Sequence, residues 1–131
     1  MYHSRPVIIK QIKSLATLSI FRYIADSSVE DAKVVLENHM MEVIFKNLAS
    51  TQVKLVDHSL LTLYKILEHG ETLKHNREFN GKNPYLMEIV ENNIVYIIEN
   101  LLNFPDDDIH AKVTVLLGKF FPSDSTWSEG I

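Results

Sequence analysis

The chain has no cysteine among its 131 residues. That excludes a disulfide framework and a thiolate metal site, and it suits a reducing compartment. Glycine and proline are scarce, four of each, and no window alternates apolar with polar residues well enough to argue for a sheet. Neither sign of charge dominates. Thirteen Lys and Arg face seventeen Asp and Glu, a net charge of −4, scattered so that no face is built for nucleic acid. No apolar run approaches the length of a membrane span, and Val7-Ile8-Ile9 is too short for a signal peptide. A soluble, intracellular protein is expected.

Catalytic patterns are missing too. The chain has no glycine-rich phosphate loop, no cysteine nucleophile and no convincing Ser/His/Asp set. Six histidines are present, and His58, His69 and His75 lie close in sequence. None is spaced three or four residues from another, as a helical zinc site would want. No catalytic residue, cofactor site or metal ligand is assigned, and an enzyme is not expected.

What is present is a core and a period. Apolar residues make up 46% of the chain, enough for one ordered domain. They recur every three to four positions, which is helical periodicity. Ile9, Ile12, Leu15, Ala16, Ile20, Tyr23 and Ile24 form the stripe of a first long helix over about 6–25. Two short helices follow, to about Glu37 and then over about 40–49, with Asn38-His39 as the break between them. Val53, Leu55, Val56, Leu60, Leu63, Ile66 and Leu67 mark a long fourth helix. From Glu71 to Lys82 the pattern fades into a polar connector, a helical extension and then a loop with the turn pair Asn80-Gly81. Asn83-Pro84 caps a fifth helix, Glu91-Asn92-Asn93 repeats the break, and a sixth covers about 94–103. Asp106-Asp107-Asp108 after Pro105 opens a seventh, because carboxylates favour a helix N-terminus. Residues 123–131 read as a frayed tail.

The strongest feature is a constant shift of 54 residues. Leu36-Glu37-Asn38-His39-Met40-Met41 answers to Val90-Glu91-Asn92-Asn93-Ile94-Val95, Leu48 answers to Leu102, and the phase holds to Leu63-Tyr64-Lys65-Ile66-Leu67 against Leu117-Gly118-Lys119-Phe120-Phe121. A fixed offset over such a length signals stacked repeats, which usually serve as binding surfaces. A weaker match at 43 residues sets Phe21-Arg22-Tyr23-Ile24 against Tyr64-Lys65-Ile66-Leu67. That shorter offset falls within the roughly 40–47 residues of armadillo and HEAT units. The three-helix unit favours armadillo, a right-handed α-solenoid of about two and a third repeats. Its segments are 6–25, the last helix of one repeat; 28–70, a full repeat; the connector 71–83; and 84–122, the final repeat.

These residues resemble the carboxy-terminal end of the importin-α family, the armadillo adaptors of nuclear import. Ser28 to Glu37 looks like the junction of two late repeats, and Leu60 to Glu71 like the last long cargo-side helix with its extension. Ile89 to Leu101 resembles the start of the final repeat, where the family often has two glycines at the break. Asn103 to His110 resembles the acidic turn before the last helix, and Gly118-Lys119-Phe120-Phe121 the end of that helix. The match spans about 14–124 and rests on order and spacing. It implies a protein-binding adaptor of cytoplasm and nucleus.

In that family a Trp and, four residues on, an Asn form the ladder that holds basic import signals. The Trp rings flank the stems of Lys and Arg, and the Asn side chains hold the peptide backbone. The corresponding positions here are Leu18, Leu61 and Val115, then Arg22, Lys65 and Lys119. All six depart from the pattern. A basic side chain in place of Asn repels a basic signal and accepts no hydrogen bond. The resemblance therefore implies the non-cargo end, which docks the recycling export receptor with its small GTPase, or a nucleoporin. An import receptor β subunit would be reached through an amino-terminal part of a longer protein. Asp106, Asp107 and Asp108 are the best local docking candidates, with Glu91 and Glu99 ranking lower; the plainer reading of the three aspartates is a heavily capped helix start. An armadillo or HEAT scaffold of another class, for signalling or cytoskeletal assembly, is the alternative. The first helix lacks partner helices of its own, so its apolar stripe is expected to face water unless the chain is a fragment or self-associates there.

Overall fold

The computed structural model describes residues 5–122, and the expected tail with Trp127 lies outside them. Among the described residues there are seven α-helices and no strand. They are α1 (Arg5–Asp26), α2 (Val29–Val35), α3 (Met41–Leu48), α4 (Val53–Leu73), α5 (Pro84–Glu91), α6 (Ile94–Asn100) and α7 (Asp107–Phe120). No described helix is long and apolar enough to cross a membrane.

Local chemistry sets the boundaries. Ser28 accepts a hydrogen bond from the amide of Asp31 to open α2, Asn83 caps α5 ahead of Pro84, and Asp106 caps α7 through the amide of Ile109. Each cap satisfies a donor that a helix start leaves without a partner. The breaks between the short helices share one device. His39 and Asn93, 54 residues apart, both take left-handed backbone angles, φ 68° and 58°. The left-handed conformation thus falls on the last residue of each expected break. At the first break it closes a wide π turn over Leu36–Met40, and at the second it follows a plain helix end.

The long helix α4 is the centre of the molecule and packs against α1, α2, α3, α5 and α7. It buries a broad face, including Leu55, Val56, Leu60, Thr62, Leu63, Ile66 and Leu67, and leaves Leu61 and Lys65 exposed. One continuous core runs from Phe21 and Ile24 on α1 to Phe120 and Phe121 at the end of α7. The offset pairs recur within it: Met41 and Val95, Ile44 and Ile98, Leu55 and Ile109, Thr62 and Leu116, Ile66 and Phe120 are all buried. Leu48 and Leu102 break the rule. Leu48 is fully buried, whereas Leu102 is exposed and Leu101 takes the core position. The cause is a 3₁₀ turn over Leu101–Asn103. Its tighter winding rotates the following side chains out of the α-helical phase.

The connector is tied down more firmly than a solvated loop. Helix α4 extends to Leu73, a 3₁₀ turn follows over Arg77–Phe79, and Asn80 and Gly81 turn the chain through positive φ. Lys33 on α2 stands 5.5 Å above the Phe79 ring and 3.6 Å from the Glu78 carboxylate. Asn83 then locks the connector to α4. Its Nδ2 donates to the Leu67 carbonyl and to Glu71 Oε2, both at 2.9 Å, while its Oδ1 accepts from the amides of Tyr85 and Leu86. Gly70 makes room for it, since a Cβ there would lie 1.8 Å from Asn83 Oδ1.

At the opposite end, Ile9, Leu15, Ile20 and Tyr23 of α1 are exposed, and Leu15 is 63% accessible. Among the described side chains of this helix, Phe21 and Ile24 belong to the core.

Candidate protein-binding groove

Helices α4 and α7 lie side by side in parallel. Lys112 Nζ meets Asp57 Oδ1 at 2.5 Å, and two turns further along both helices Lys119 Nζ donates to Tyr64 Oη at 3.0 Å. The ladder positions Leu61 and Val115 stand between these two links. They are 46% and 56% exposed, and with Leu60, Tyr64, Ala111 and Lys112 they line a cavity of about 290 Å³. Its surface is almost wholly apolar between two charged ends.

One end is the Asp57–Lys112 pair. The other is a cluster around Glu68, which receives Lys65 at 3.4 Å on one oxygen and Lys119 at 3.3 Å on the other. Lys119 Nζ also sits 4.8 Å from the centre of the Tyr64 ring and 5.3 Å from that of Phe120, and those rings meet edge to face at 5.5 Å. Burial pushes the Glu68 carboxyl up, but hydrogen bonds and charge from Lys119 and Lys65 together outweigh it and hold it below its ordinary value. Lys119 is held above its ordinary value, chiefly by its bond to Tyr64 and then by Glu68.

The six ladder positions therefore divide. Leu61, Lys65, Val115 and Lys119 come together in one groove. Leu18 is half-buried on α1. Arg22, expected in the same basic column, pairs instead with Asp26 at 3.7 Å. It lines a separate hollow with Ser28 and Asp31 between α1 and α2.

The acidic candidates divide as well. Asp106 is half-buried and committed to its cap, 3.1 Å from the amide of Ile109. Asp107 and Asp108 in the first turn of α7 are exposed, as are Glu91 and Glu99. Sequence reasoning missed Glu88 on α5. Burial raises its carboxyl above the ordinary value, and Glu91 and Glu42 add to the shift. Its Oε2 is buried without a hydrogen-bond partner, as is His69 Nε2. Tyr85 beside it is pushed up to about 12 by burial and by Glu37 and Glu88. Helical spacing alone gave no sign of these, because the charges converge from α3, α5 and the π turn. Among the described residues no three His, Cys, Asp or Glu side chains come together as a metal site.

No family model matches the chain, and neither a curated protein nor a solved structure matches it.

Proposed function

We propose that this chain is a protein-binding module of stacked three-helix units, an armadillo-type right-handed solenoid, and the C-terminal part of an importin-α-like receptor. The observation that carries this is the α4/α7 pair. Two long helices at one repeat offset run in parallel with their ladder positions on a shared groove, and the left-handed breaks at His39 and Asn93 fall at equivalent places. A solenoid built this way presents shallow surfaces for polypeptide. The module has no catalytic role in this reading. Lys65 and Lys119 stand where a signal-binding ladder would have Asn, so the groove opposes basic import signals. The module then serves as the docking end for the recycling export receptor with its small GTPase, or for a nucleoporin. Asp107 and Asp108 are the exposed acidic pair for that contact.

The test is a pull-down of the purified export receptor with its GTP-bound GTPase. Retention of the pair on the immobilised chain is expected, and no enrichment over a bare matrix would defeat the receptor reading. A scaffold of another class, for signalling or cytoskeletal assembly, has the same fold. The absence of Trp and Asn from all six ladder positions is the observation that favours it.

A further inference from the structure

We propose that the α4/α7 groove binds an extended peptide from a partner protein, seating an apolar side chain on the Leu61–Val115 floor and a carboxylate between Lys65 and Lys119. The proposal rests on the reading of the chain as a protein-binding module and names the chemistry of what it binds.

Charge bookkeeping along the groove favours an acidic occupant. At the near end Asp57 and Lys112 neutralise each other. One turn earlier Lys54 and Asp108, exposed residues one repeat offset apart, are opposite in sign. Beyond the apolar floor, two ammonium groups share the single carboxylate of Glu68. One positive charge is left over at that end. Both lysine side chains keep access to water, 54% for Lys65 and 44% for Lys119. An ammonium has three N–H groups. Lys119 directs one to Tyr64 and one to Glu68, which leaves a third for a ligand without breaking either bond.

The spacing fits an extended peptide. Tyr64 lines the floor and also accepts from Lys119, so the apolar site and the cationic site adjoin. Leu61 and Lys65 are one helical turn apart, about 6 Å along the axis of α4. Residues i and i+2 of an extended strand point to the same side, roughly 6.8 Å apart. An apolar residue and an acidic residue two positions away, in either chain direction, would therefore meet Leu61–Val115 and Lys65–Lys119 together. A lysine in place of the acid would face two like charges.

The experiment is fluorescence polarisation with labelled nine-residue peptides. One carries a central Leu with Glu two positions to either side, and the other carries Lys in place of both Glu. The Glu peptide is expected to bind about ten-fold or more tighter than the Lys peptide, and to weaken as salt rises. Val115→Glu and Lys119→Glu are each expected to weaken the Glu peptide by about ten-fold, the scale of one charge-assisted contact. Lys46→Gln, at an exposed position on α3 away from the groove lining, should leave it unchanged. Far-UV circular dichroism checks that each variant folds, and Leu61→Glu replaces Val115→Glu if the latter does not.

Equal affinity for the two peptides, preference for the Lys peptide, or indifference to Val115→Glu and Leu61→Glu would overturn the proposal. So would self-association of the chain that Val115→Glu abolishes, since a second copy would then be the occupant. If these results fail while the export receptor and its GTPase are still retained, the groove assignment is wrong and the receptor reading stands. If both fail, the reading falls with it.

Discussion

Gly70→Ala should destabilise this protein, although in an ordinary helix interior the same change stabilises by about 1 kcal/mol. The new Cβ would lie 1.8 Å from Oδ1, 2.5 Å from Cγ and 2.8 Å from Nδ2 of Asn83. That side chain is 5% exposed and engaged on all sides, so it cannot give way by a small shift. Driving it out removes the cap of α5, about 1 kcal/mol. It also removes the bonds to Leu67 and Glu71, about 1 kcal/mol each. Against the helical gain, the net loss is roughly 2 kcal/mol, a large share of a typical domain's stability. Urea denaturation followed by circular dichroism at the helix band measures it, and a double-mutant cycle isolates the cause. In an Asn83→Ala background the clash is gone, and Gly70→Ala should stabilise by about 1 kcal/mol. A stabilising Gly70→Ala in the wild-type chain, or the same cost in both backgrounds, would refute the reasoning.

Substitutions at two further positions test other parts of the frame. His39 holds a left-handed backbone that Asn adopts more readily, and its 3.7 Å contact with Glu42 is exposed and weak. His39→Asn should therefore raise stability by roughly 0.5 kcal/mol and β-branched His39→Val should lower it by about 1–2 kcal/mol in the same urea assay. Glu88 has a folded pKa above its unfolded value, so its ionisation costs the folded state. Its stability penalty grows as pH rises through that window and is complete above it. Glu88→Gln should melt higher than the wild-type chain at pH 7, and the difference should shrink as pH falls toward 4.5; a constant difference across that range would count against it.

The helices were legible because their determinants are local. Apolar spacing marked α4, and Asn83-Pro84 and Asp106 marked the starts of α5 and α7. The repeat offset placed the breaks, yet it did not tell that the first would widen into a π turn. Nor did it tell that Leu101 would displace Leu102 from the core. Both depend on how a short helix closes against its neighbours. The groove was half legible. The offset aligned Leu61 with Val115 and Lys65 with Lys119, and the parallel register brings them together. That Glu68 joins the two lysines needed the lateral distance between helices, which no spacing encodes. Arg22 entered the column on a weaker match and lies elsewhere. Asp106 illustrates how a docking candidate can be used up by its own helix. The Asn83–Gly70 contact escaped because it joins a connector to a helix interior through a residue with no side chain.

The functional account depends on α4 and α7 being equivalent helices stacked in parallel. Zero-length carbodiimide crosslinking, read by mass spectrometry of the digested monomer, tests this directly, because it joins only carboxylates and amines already in contact. The expected links between the two helices are Asp57 with Lys112 and Glu68 with Lys119. Links of Glu68 with Lys112 or Asp57 with Lys119, or none between α4 and α7, would contradict it.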